Sequence, residues 1–164
     1  MAVIRRALLL LTVAGAARAQ TAAVPNEGPL RALYGLADLQ RRAATVAASR
    51  DTRPEVKTFA AEMAAWREVQ LPRLRDFLSG RGIASLDMTE DQRTVWQALE
   101  PLDHLELSRR YAEVQVQALD LEVPAYEAAL ASTDPSVRAL AEEMLPTLRR
   151  VLDRARQVHD GVKP

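Results

Sequence analysis

The chain has 164 residues, room for one domain with a modest core. It has no cysteine and only two histidines, His104 and His159. This excludes disulfides, thiolate metal sites, a cysteine nucleophile, a lipid anchor on cysteine and any multi-histidine site within one chain. Twenty-two basic residues balance 22 acidic ones, which argues against bulk attraction to nucleic acid or anionic lipid.

The N-terminus reads as an export signal. Arg5 and Arg6 precede an almost wholly small or apolar run from Ala7 to Ala17, and Ala17-Arg18-Ala19 fits the small-x-small rule. Cleavage is expected between Ala19 and Gln20. The run is too short to span a bilayer as a helix, which needs about 20 residues. Loss of Arg5, Arg6 and Arg18 leaves 19 basic residues against 22 acidic ones. The expected organisation is a signal peptide over 1–19, a flexible Pro/Gly-punctuated lead-in over 20–28 and a helical domain over 29–160.

The spacing predicts a first helix from Pro29 to Arg50, with Leu33, Leu36, Leu39 or Gln40, Ala43, Val46 and Ala47 inward. A second runs from Pro54 to Ser79 on Val56, Phe59, Ala60, Met63, Trp66, Leu74, Phe77 and Leu78, with a stop at Gly80 and Gly82. Thr89 and Gln92 form a capping box that opens a short helix ending before Pro101. A third long helix spans Asp103 to Ala131, with Leu105, Ser108, Tyr111, Ala112, Gln115, Leu119 and Tyr126 inward. The last, Thr133 to Val158, has Asp134 as N-cap and Pro135 at its first position, and carries the cleanest apolar stripe in the chain. Pro72, Pro124 and Pro146 fall inside helices and predict kinks. No segment alternates at period two. The expected fold is all-α, an antiparallel four-helix bundle with a short extra helix between the second and third long helices.

Few constellations carry chemistry. A di-metal site in a bundle needs inward carboxylates and usually Glu-x-x-His; neither histidine has a glutamate three residues before it. The metal-ligand candidates are therefore Glu62, beside Phe59 and Met63, and Glu122, three residues after Leu119. Facing inward, they would pair with Arg67 or hold a hard cation; the expectation is that they lie at the stripe edges and touch water. Gln40, Gln115 and Gln117 are candidates for buried links between helices. The arginine pairs 41/42, 109/110 and 149/150 are expected on solvated faces. Trp96 is placed to cover one bundle end, the expected location of any small-molecule pocket. Leu71, Leu121 and Val123 lie off the main faces and are expected exposed. No serine or threonine has a His–acid pair, so no catalytic residue is assigned.

Three segments in order, RPEVKTFAAEM (Arg53 to Met63), YAEVQV (Tyr111 to Val116) and DPSVRALAEEMLPTL (Asp134 to Leu148), resemble the bacterial domain-of-unknown-function 4142 family. The resemblance implies a ferritin-like bundle, export, and a place in the periplasm or at the outer membrane. The family pattern expects histidines where this chain has Arg67, Leu119 and Val151, and acidic residues at Trp66 and Gln40. Any metal site that relatives hold is on that pattern lost here.

These readings converge on an exported, non-catalytic binding or interaction module. It would be periplasmic or secreted, with no cofactor, no nucleic acid and no transmembrane span after signal removal. Its partner would be a protein or small molecule, and homo-oligomerisation stays open. The alternatives are a ferritin-like metal-binding or redox protein using Glu62 and Glu122, and an envelope-associated structural oligomer.

Overall fold

The computed structural model describes residues 27–163. The expected signal peptide and its Ala19–Gln20 junction lie outside the described residues. Five helices follow one another: α1 (Glu27–Ser49), α2 (Pro54–Ser79), α3 (Glu90–Leu99), α4 (His104–Ala129) and α5 (Pro135–Val162). No strand occurs among the described residues, and none of these helices is long and apolar enough to cross a membrane.

Consecutive long helices form two hairpins, α1 with α2 and α4 with α5, and α1 packs on α4 to join them. One end of the bundle gathers the end of α1, the starts of α2 and α4, and the end of α5. There the Arg53 amide donates to Ser108 Oγ (3.0 Å), Arg53 Nη1 to the Gly161 carbonyl (2.6 Å) and Arg109 Nε to the Val162 carbonyl (3.2 Å). Arg50 Nη1 also donates to the Glu100 carbonyl. At the other end Arg81 Nη2 reaches Asp134 Oδ2 (2.7 Å), tying the end of α2 to the start of α5. Packed neighbours among the four long helices are therefore antiparallel, while α2 and α4 run the same way. A single long crossover, carrying α3 along α1, makes that possible.

The caps follow local chemistry. Thr89 and Gln92 form the expected capping box, and Gln92 also donates to the Ala32 carbonyl at 3.2 Å. This side chain lies over Gly35, where an added Cβ would come within 2.2 Å of Gln92 Oε1; the glycine lets α3 approach α1. Asp134 caps α5 through the Ser136 amide at 2.8 Å. Hydrogen bonds from the Ser136 hydroxyl, then from Arg81, hold its carboxyl well below the usual carboxylate range. Gly82, not Gly80, takes the left-handed conformation after α2 (φ +75°). The Ile83 amide reaches back to the Leu78 carbonyl and the Gly82 amide to that of Ser79, a Schellman closure. Ile83 then packs with Leu78, Leu74, Leu71, Leu30 and Tyr34 in a smaller core at that end.

Several expectations need correction. α1 starts two residues earlier than Pro29, and α5 continues past Val158 to Val162. The expected kinks at Pro72, Pro124 and Pro146 do not interrupt α2, α4 or α5, each of which runs on through its proline. All three prolines sit on exposed faces. Leu105 is exposed instead of inward. Leu71 and Val123 are buried, because each of their helices packs on more than one neighbour and needs an apolar arc wider than one stripe. Leu121 is 64% exposed as expected; Val69, on which the sequence carried no expectation, is 67% exposed.

Gly82 supplies a clean test of the closure. Gly82→Ala is expected to lower stability by about 1 kcal/mol, since Cβ strain opposes positive φ. Gly161→Ala, in ordinary helix with open space around it, should leave stability unchanged or slightly raised. Urea denaturation of both variants provides the comparison.

Candidate functional site

Four long helices of this pattern should meet in hydrocarbon. Instead, Arg67 and Glu122 face each other in the middle of the bundle with no solvent exposure. The contact is bidentate: Nη2 to Oε2 at 2.5 Å and Nη1 to Oε1 at 3.1 Å. Gln40, equally buried, closes a triangle. Its Nε2 donates to Glu122 Oε2 (2.8 Å) and its Oε1 accepts from Arg67 Nη2 (2.9 Å). Gln70 accepts from Arg67 Nη1, and Gln115 Nε2 donates to the Gln40 carbonyl (3.2 Å). The guanidinium also lies 4.2 Å from the centre of the Trp66 ring, a cation–π contact on its flat face.

Helical register brings these groups together. Arg67 follows Met63 by four residues and precedes Leu74 by seven; Glu122 lies between Leu119 and Tyr126 on the same face; Gln40 precedes Ala43 and Ala44. Each polar residue thus occupies a core position of an otherwise apolar stripe, on α1, α2 and α4. Removing two charges from water costs several kcal/mol per ion, and only a well-formed pair with further hydrogen bonds offsets it. Both terminal guanidinium nitrogens and both carboxylate oxygens are engaged. Glu122 can therefore serve neither as a metal ligand nor as a general base without breaking the pair.

The network is incomplete at its edges. Arg67 Nε, Gln70 Nε2, Gln115 Oε1 and the hydroxyls of Tyr111 and Tyr126 are buried without a hydrogen-bond partner among the described residues. Burial pushes the Tyr111 hydroxyl well above the usual phenol range. Burial, reinforced by the Glu122 charge, raises Tyr126 as well.

The two carboxylate candidates are not brought together. Glu62 is exposed on α2, as expected at a stripe edge, whereas Glu122 is fully buried and paired with Arg67. Of the three glutamines, Gln40 and Gln115 do link helices; Gln117 is exposed and bonds Glu113 one turn away. His104 is exposed at the start of α4 beside Asp51 (3.1 Å), and His159 lies half-buried in the last turn of α5. Among the described residues no three His, Cys, Asp or Glu side chains are grouped to hold a metal ion. Trp96 packs half-buried against the main core. A cleft of about 630 Å³ lies elsewhere, between α2 and α5, with Trp66, Gln70, Phe77, Leu140 and Met144 in its walls.

The sequence offered the Arg67–Glu122 pair only for the case in which Glu122 faces inward, whereas the expectation was a stripe-edge carboxylate touching water; the structure places it inside and paired. The available signal was one basic and one acidic residue, each at a core position of a different helix. An unpaired charge at either place would be untenable, which argues for the other.

Two tests follow. Arg67→Met or Glu122→Leu alone should cost about 3–5 kcal/mol, because each strands the other charge in the core. The R67M/E122L double variant should recover most of that loss, read as a coupling energy in a denaturation cycle. The tyrosines set an alkaline limit. Above about pH 10 the unfolded chain loses phenolic protons that the folded state retains. Stability should then fall by up to about 1.4 kcal/mol per pH unit for each tyrosine. Tyr111→Phe and Tyr126→Phe should each flatten that decline in melts taken from pH 8 to 12, and cost little at neutral pH because each hydroxyl lacks a partner.

No curated protein and no solved structure is measurably similar to this chain. The model of the domain-of-unknown-function family DUF4142 matches residues 12–158. That span takes in all three segments on which the resemblance rested, the whole of α1 to α4 and most of α5, so the chain belongs to the DUF4142 family.

Proposed function

We propose that this protein is an exported, ferritin-like bundle that acts as a non-catalytic binding or interaction module in the periplasm. One observation carries the reading: the interior is closed by the Arg67–Glu122–Gln40 network. Ferritin-like bundles build their metal sites from inward side chains on facing helices. Here the inward charged groups neutralise each other, and neither histidine is inside the bundle. The single long crossover between two antiparallel hairpins supports the ferritin-like part of the reading. The Arg-led apolar run ending at Ala19 supports export.

The protein isolated from periplasm should begin at Gln20 on N-terminal sequencing. Purified without an affinity tag, it should hold no stoichiometric metal by elemental analysis, and its melting curve should not move on adding chelator. Stoichiometric metal with a chelator-sensitive melt would sink the reading and favour a ferritin-like metal or redox role. A concentration-independent oligomer in solution would favour an envelope-associated assembly instead.

A further inference from the structure

We propose that the cleft between α1, α2 and the crossover is a binding site for a small, doubly charged oxyanion, a phosphate group or a dicarboxylate. The cleft measures about 510 Å³, within the usual range of small-molecule sites. Arg41 and Arg42 reach it from α1, Arg75 from α2 and Arg93 from α3. Four guanidiniums from three helices thus converge on one concavity, whereas residues 27–163 together carry 19 basic and 22 acidic side chains.

The lining holds two carboxylates, Asp38 and Asp87, leaving an excess of two positive charges. Asp38 is shared between Arg41 (3.0 Å) and Arg42 (2.8 Å). The other acids, Glu68 on Arg41 and Glu90 on Arg93, approach from outside and are 63% and 80% exposed. Such exposed pairs are worth about 0–1 kcal/mol, so a ligand can replace them. Arg75 has no carboxylate within ion-pair distance among the described residues; it donates to the hydroxyl of buried Tyr34 at 2.8 Å. Its remaining N–H groups suit a bidentate oxyanion, the geometry for which a guanidinium is built. The Tyr34 hydroxyl, already accepting from Arg75, has its own proton left to donate.

This inference deepens the binding-module reading and rests on it. Absence of anion binding would remove the ligand class, whereas metal in the purified protein would remove the module reading; the two failures are separately visible. The test is calorimetric titration of the purified protein with inorganic phosphate, and separately with succinate, at pH 7.5 and low salt. At least one anion should bind with unit stoichiometry and raise the melting temperature. Arg75→Gln should weaken binding at least ten-fold with the ligand-free melt unchanged. Arg150→Gln, on α5 and remote from the cleft lining, should bind as the parent does. Phosphate binding without succinate assigns a phosphate group; the reverse assigns a dicarboxylate. No binding of either anion, or equal weakening in the two variants, would overturn the proposal.

Discussion

A charge sealed inside a helical bundle has to be answered by its opposite. Arg67 and Glu122 meet that demand across two helices, and Gln40 reads both partners at once from a third. The constraint is geometric as much as energetic. Apolar side chains tolerate a helix sliding or turning by a fraction of a residue, because dispersion is non-directional. A bidentate pair with a bridging amide does not. Its hydrogen bonds survive in one register of α1, α2 and α4, so the network selects among the packings that the stripes alone would allow. An apolar pair of similar volume would suit stability as well; what the ionic pair adds is a defined register.

The remainder of the architecture fits around that point. Two hairpins supply most of the close packing, and α1 against α4 joins them along the polar centre. α2 and α5 pack more sparsely than the other neighbouring long helices, leaving the larger cleft between them. The ends are held by arginines that donate to carbonyls and caps: Arg50, Arg53 and Arg109 at one end, Arg81 at the other. Arginine is suited to these places because one planar head reaches several acceptors without losing its charge. The same residue type therefore fixes the core, closes both ends and lines the crossover cleft. A count of basic residues in a sequence distinguishes none of these roles.

The long crossover shapes a cleft as well as the topology. By carrying α3 along α1, it creates a wall that a bundle with short loops lacks. Gly35 admits Gln92 at close range, and the capping box starts α3 where it can deliver Arg93 to the cleft. A cleft lined from α1, α2 and α3 is thus a consequence of the connection, while the core network is a consequence of the bundle.

The sequence by itself determined the helices, because their signals are local. Period-3.6 stripes, the Thr89–Gln92 box, the Asp134 cap and the Pro54 and Pro135 starts act within a turn or two of themselves. Membership of the DUF4142 family was legible for the same reason, in three short runs that keep their order. Burial at the stripe edges was decided only in three dimensions. Leu71 and Val123 are covered, Leu105 and Val69 on the same two helices are not, according to which side of each helix its neighbours cover. The fate of Glu122 was decided there too. On its own helix it is an edge carboxylate with water as the natural partner; with Arg67 delivered 55 residues away in sequence, it becomes one half of the buried centre. Likewise Arg41 and Arg42 stay in contact with solvent as a helix-face pair, and only the placement of α2 and the crossover beside them makes them part of a cleft lining. Charge pairing is a property of distance in space, and the chain fixes that distance only when it folds.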